Sequence, residues 1–79
     1  MLNLIQVGGK ATTPFENREG EILAKARKGS ATFVKVRWGD WPPSWHRVHS
    51  LENGEISVYA MAVGIFSLIS DLEARASHA

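Results

Sequence analysis

The chain has 79 residues, 44% of them hydrophobic, and a formal net charge of +1. That length allows one domain with a modest core and a thin stability margin. There is no cysteine, which excludes disulfides and zinc–thiolate sites, and the near-balanced total charge names no partner.

Leu2 to Val7 reads as a first strand ended by Gly8-Gly9, with residues 12–15 continuing it beyond a bend. Glu21 to Arg27 and Ala31 to Trp38 flank the turn Lys28-Gly29-Ser30 and predict a hairpin. In the second arm Val34, Val36 and Trp38 alternate with Phe33, Lys35 and Arg37. In the first, Ile22, Ala24 and Ala26 alternate with Leu23, Lys25 and Arg27. The Glu, Ala, Leu, Lys and Arg content of residues 16–28 also suits a helix. Gly20 and the tight turn that follows favour the strand.

Gly39-Asp40-Trp41-Pro42-Pro43 breaks the ladder and reads as a turn. Ser44 to Leu51 is a further arm, alternating Trp45, Arg47 and His49 against His46, Val48 and Ser50. Asn53-Gly54 predicts a turn into a short strand at Glu55 to Tyr59. From about Tyr59 to Arg75 the period lengthens. Met61, Ala62, Ile65, Ile69, Leu72 and Ala76 recur at helical steps, so an amphipathic helix is expected, starting as early as Ser57. Phe66 and Leu68 widen its apolar stripe enough to suggest a homodimer through this helix. The uncharged run from Ile56 to Ser70 is 15 residues, short of the roughly 18–20 that span a bilayer, so no membrane role is expected. No basic leader precedes the apolar start, and a cytoplasmic setting is the expectation.

Charge is unevenly spread. Between Leu23 and Gly39 stand Lys25, Arg27, Lys28, Lys35 and Arg37 with no acid. If Ile22, Ala24 and Ala26 turn inward with Val34, Val36 and Val48, one outer sheet face gathers Lys25, Arg27, Phe33, Lys35, Arg37, Trp45, Arg47 and His49. Cations attract phosphate with counterion release, and aromatic rings stack on bases. That pattern predicts nucleic-acid binding. A plain solvated face, with Glu19 and Glu21 cancelling part of the charge, is the competing reading.

Trp38, Trp41 and Trp45 fall within eight positions. Trp38 and Trp45 suit packing, whereas Trp41, between Asp40 and Pro42, suits exposure and recognition of a partner. With Ile65, Phe66 and Ile69 of the helix stripe, it marks a second candidate surface, directed at protein. That alternative function is an adaptor or inhibitor of phage or mobile-element type.

Enzymatic chemistry and a metal site are not expected. His46 and His49 fall on opposite faces of a strand, and His78 lies near the end. Neither Ser44 nor Ser50 has a nucleophile elbow or an orienting acid. Gly8-Gly9-Lys10-Ala11-Thr12 lacks the spacing of a phosphate loop. No cofactor is implied.

Over residues 6–51 the order of types runs Val7-Gly8-Gly9-Lys10-Ala11, Gly20-Glu21-Ile22-Leu23, Phe33-Val34-Lys35-Val36-Arg37-Trp38-Gly39-Asp40, Trp45-His46-Arg47-Val48 and Leu51. This resembles the SH3-like barrels of the Tudor and KOW kind. The resemblance implies a five-stranded barrel and a binding role toward nucleic acid, peptide or modified side chains. Phe15 is the lone aromatic of the loop where Tudor-type barrels place cage residues, and the C-terminal helix is not part of such barrels. The expectation is therefore a single domain, β-rich α+β. A small bent antiparallel sheet or SH3-like partial barrel occupies 1–56, and an amphipathic helix occupies 57–77.

Overall fold

The computed structural model describes residues 2–14 and 16–77. A single 3₁₀ turn, Leu2–Leu4, precedes five strands: β1 (Lys10–Thr12), β2 (Glu19–Lys28), β3 (Ala31–Arg37), β4 (Ser44–Glu52) and β5 (Glu55–Val58). Helix α1 (Phe66–Ser77) ends the fold. The strands form a closed barrel in chain order. A meander of five strands brings the last beside the first in the same direction, so β1 and β5 pair in parallel while every other pair is antiparallel. The fold is a β-rich α+β domain, an SH3-like barrel with a helix added outside.

The barrel interior holds Ile5, Ala11, Ile22, Val34, Val36, Trp38, Val48, Ile56 and Val58. Val34 and Val36 point inward, as the alternation of β3 predicts. Asn53 and Gly54 both take positive φ, the geometry that a two-residue hairpin turn with the strands' own twist requires. Residues 19–28 are strand rather than helix. Pairing with β3 from Glu21 to Lys28 overrides the local helix preference.

Three expectations need correction. The first strand does not run through Leu2–Val7. Ile5 N–H closes a turn on Leu2 O at 3.2 Å, and Ile5 plugs the barrel. The helix begins at Phe66, not at Ser57 or Tyr59. Ser57 and Val58 belong to β5, and the segment beyond stays tied to β4, with Tyr59 N–H on Arg47 O at 3.0 Å and Val63 N–H on Trp45 O at 2.8 Å. Gly64, worth about 1 kcal/mol against helix relative to Ala, then separates that segment from α1. Finally, β2 does not keep one parity along its length. Ile22 pairs with Val36 but Ala24 pairs with Lys35, a bulge at Leu23.

Candidate functional site

The bulge at Leu23 decides where the predicted cations go. Beyond it, Ala24 and Ala26 share the outer face with Lys35 and Phe33, and Lys25 and Arg27 share the other face with Val34 and Thr32. The common face expected for Lys25, Arg27, Phe33, Lys35, Arg37, Trp45 and Arg47 therefore does not assemble. Lys25 Nζ donates to Leu2 O at 3.1 Å and Ile5 O at 2.8 Å, closing off the 3₁₀ turn. Arg27 Nε donates to Gly29 O in its own hairpin.

The aromatic part of that face is covered. Phe33 and Trp45 are buried beneath α1 in a second cluster with Ala26 and Leu72, bordered by Ala24, Ala31, Val63, Leu68, Ile69 and Ala76. Ala24, Ala26 and Ala31 are small enough to let the helix approach the sheet. Burying Leu72 alone contributes about 1.5–3 kcal/mol to docking. Neither buried ring can stack on a base while α1 is docked.

Acids of the helix meet the remaining cations. Glu73 Oε1 lies 2.8 Å from Lys35 Nζ and accepts from Trp45 Nε1–H at 2.8 Å. The Lys35 hydrogen bond, then that from Trp45, holds the Glu73 carboxyl below its ordinary range. Asp71 pairs with Lys28 at 2.7 Å and Arg75 at 3.1 Å, and Lys28 is the first cause of its lowered pKa. Arg37 is paired with Glu21. Of the predicted cations, Arg47 alone carries no hydrogen bond or ion pair through its side chain among the described residues, and it is exposed.

The four predicted protein-contact residues have different fates. Trp41 is 75% exposed in the β3–β4 turn, Ile65 is 64% exposed and Phe66 81%. Ile69 is half-buried, packed against the second cluster. Four further large apolar or aromatic side chains join the exposed set: Leu4 and Val7 near the start of the chain, and Tyr59 at 47% and Met61 at 86% just before α1. Met61 had been assigned to a helix stripe. It is exposed because the chain bends at residues 60–61, between the Tyr59 and Val63 hydrogen bonds to β4, instead of forming a helix turn. The stripe residues Leu68, Ile69, Leu72 and Ala76 pack on the chain's own sheet. Among the described residues of α1, the start is what is left apolar and uncovered.

Trp41 also stands at one end of the barrel over an open cleft of about 780 Å³, walled by Lys10, Glu19, Glu21 and Arg37 and floored by glycines 8, 9, 20 and 39. An adjoining hollow is lined by Arg18, Trp38 and Asp40. Three cations and three acids line the two together, so the cleft favours neither sign. Behind its wall, His46 is buried in the interior, with Nδ1 2.8 Å from Tyr59 O and Nε2 within 3.0 Å of Trp38 Nε1 and 2.7 Å of Ser44 Oγ. His49, one bulge further on, is exposed with its ring edge-on to Tyr59. Phe15 and His78 lie outside the described residues.

Among the described residues no helix is long and apolar enough to cross a membrane. No family model, curated protein or solved structure matches the chain.

Proposed function

We propose that this chain is a non-enzymatic, protein-binding module that engages its partner through the bent connection before the helix and the helix start, residues 59–66. One observation carries the reading: Tyr59, Met61, Ile65 and Phe66 are all exposed within eight residues. Apolar side chains exposed in such density mark an interaction surface, and aromatic anchors of this kind dominate interface energetics. Burial of Ile65 and Phe66 by a partner would contribute about 1.5–3 kcal/mol each before association costs. Trp41 supplies a separate anchor at the barrel end. The likeness to Tudor and KOW barrels supports a binding role, and an adaptor or inhibitor working in the cytoplasm fits it.

Nucleic-acid binding is the reading to be tested against this one. It rests on the exposed Arg27, Arg47 and Trp41, because Phe33 and Trp45 are buried and Lys35 and Arg37 are paired. The test is capture from host lysate, with and without nuclease, comparing the wild-type chain with Ile65→Ser/Phe66→Ser and with Trp41→Ala. A partner that survives nuclease and is lost with the double variant supports the proposal. Capture that disappears with nuclease, with affinity for labelled oligonucleotide falling steeply as salt rises, overturns it. The same exposed segment is the place where a homodimer would form. Concentration-dependent mass that the double variant abolishes would make the partner a second copy.

A further inference from the structure

We propose that Trp38, His46 and Ser44 form a proton-operated latch in the wall of the Trp41 cleft, in which uptake of one proton by His46 frees the Trp38 indole. This is independent of which partner the module binds.

The geometry dictates the tautomer. An indole N–H can only donate, so Trp38 Nε1–H, 3.0 Å from His46 Nε2, requires Nε2 to be the unprotonated acceptor. Nδ1 therefore carries the proton and donates it to Tyr59 O at 2.8 Å. The Ser44 hydroxyl, 2.7 Å from Nε2, donates to the same lone pair. The two rings meet edge to face at 5.4 Å. Every polar atom of the ring is satisfied, and only the neutral form also gives the Trp38 N–H its acceptor.

A proton from solvent can add only at Nε2. The new Nε2–H can donate to Ser44 Oγ, since a hydroxyl rotates to accept. It cannot coexist with the Trp38 N–H at 3.0 Å, because two donors would then face each other. The Nδ1–H bond to Tyr59 O is unaffected. Protonation therefore leaves the ring anchored to β4 and residue 59, and releases one partner, the Trp38 indole.

Burial and the Arg18 charge favour the neutral state of His46, against the Tyr59 carbonyl. The Arg18 guanidinium, from the loop before β2, lies 4.7 Å over the Trp38 ring. Asp40, from the β3–β4 turn, and Glu19, from the start of β2, line the same hollow as Trp38 and Arg18. From the segment after β5 comes the Tyr59 carbonyl, and His49 of β4 lies against the Tyr59 ring. Burial, ahead of all these, lowers the His46 pKa from its ordinary 6.5. The Tyr59 hydrogen bond opposes that shift, and Arg18 adds to it. Because Trp38 is a wall of the hollow beside Trp41, its release changes the shape of the recognition cleft.

The test is nitrogen-15 NMR of the intact chain from pH 8 to pH 4.5, following the His46 ring and the three indole N–H resonances. The latch predicts one step, with a midpoint below 6.5, shared by His46 and Trp38. The indole of Trp45 and the core methyls of Val34 and Val58 should stay constant, while Trp41, beside Trp38 in the hollow, is free to report the same step. His46→Gln should abolish the Trp38 step. Ser44→Ala should move the midpoint lower, because the protonated ring loses its acceptor, and this variant serves if the glutamine protein does not fold. A Trp38 indole that ignores His46 titration overturns the proposal, as does a His46 that stays neutral throughout. Loss of all three indoles and the core methyls together also overturns it, because that is unfolding rather than a latch.

Discussion

Gly20→Ala should destabilise the barrel even though alanine is the smallest possible addition and Gly20 lies inside a strand. A Cβ at that position would sit 2.4 Å from Val36 Cγ1, 2.8 Å from Trp38 Cε3 and 2.9 Å from Arg37 O. None of the three can yield cheaply. Val36 is fully buried, Trp38 is held by His46 and Arg18, and Arg37 O is backbone at the end of β3. Overpacking of this kind costs about 1–3 kcal/mol. Alanine also restricts the unfolded chain, which offsets about 0.4–1 kcal/mol. Taken at their mid-values, the two leave a net loss of about 1.3 kcal/mol, which corresponds to a drop of about 5–10 °C in Tm for a domain this size. Gly64 is the control, since a Cβ there meets nothing within 4 Å. Gly64→Ala should leave Tm unchanged or raise it slightly. Calorimetry of both variants reads the difference directly. Equal Tm values for Gly20→Ala and the wild type would refute the packing argument.

Other substitutions probe the rest of the molecule. Leu72→Ala removes a fully buried helix side chain and should cost about 2–5 kcal/mol, read by urea denaturation. Lys35→Ala, which removes a half-exposed ion pair with Glu73, should cost only about 0–1 kcal/mol in the same assay. Phe66→Ser should leave stability within about 0.5 kcal/mol while abolishing partner capture, because its ring is already in water. Stability should fall on acidification in two windows. His46 has a lowered pKa, so its contribution is complete above 6.5 and is lost as pH falls through the folded value. Glu73 is also lowered, so its smaller contribution is complete above 4.5 and is lost at more acid pH. Denaturant midpoints measured from pH 8 to pH 3 check both, and His46→Gln should remove the upper window.

Much of the barrel is legible in the residues because the signals are local. Lys28-Gly29-Ser30 and Asn53-Gly54 mark their hairpins, and the Val34–Val36 alternation orients β3 without ambiguity. What escapes is whatever depends on a single extra residue. The bulge at Leu23 changes no composition, yet it sends Lys25 to the opposite face from Lys35 and puts Ala24 and Ala26 beneath the helix. One signal was available in the sequence. Ala24, Ala26 and Ala31 are three small side chains clustered around one hairpin, which suits a helix packed closely on a sheet better than an open ligand face. The helix start was equally hard to place. Residues 59–63 have the apolar spacing of a helix, and only their hydrogen bonds to β4, on either side of a bend at 60–61, show that they are a connection rather than a helix. The exposure of Trp41 was legible because a Pro-rich turn has little chain to cover it, whereas Ile65 and Phe66, expected inside a longer helix, are exposed because the helix starts only at Phe66.

The account rests on α1 covering the sheet's aromatic rings while the segment before it stays open to a partner. Relaxation of side-chain resonances by a soluble paramagnetic probe tests both halves at once. Strong relaxation at Trp41, Met61 and Phe66, with Phe33, Trp45 and Leu72 protected, is the predicted pattern. Strong relaxation at Phe33 and Trp45 would contradict it and return the sheet face to solvent.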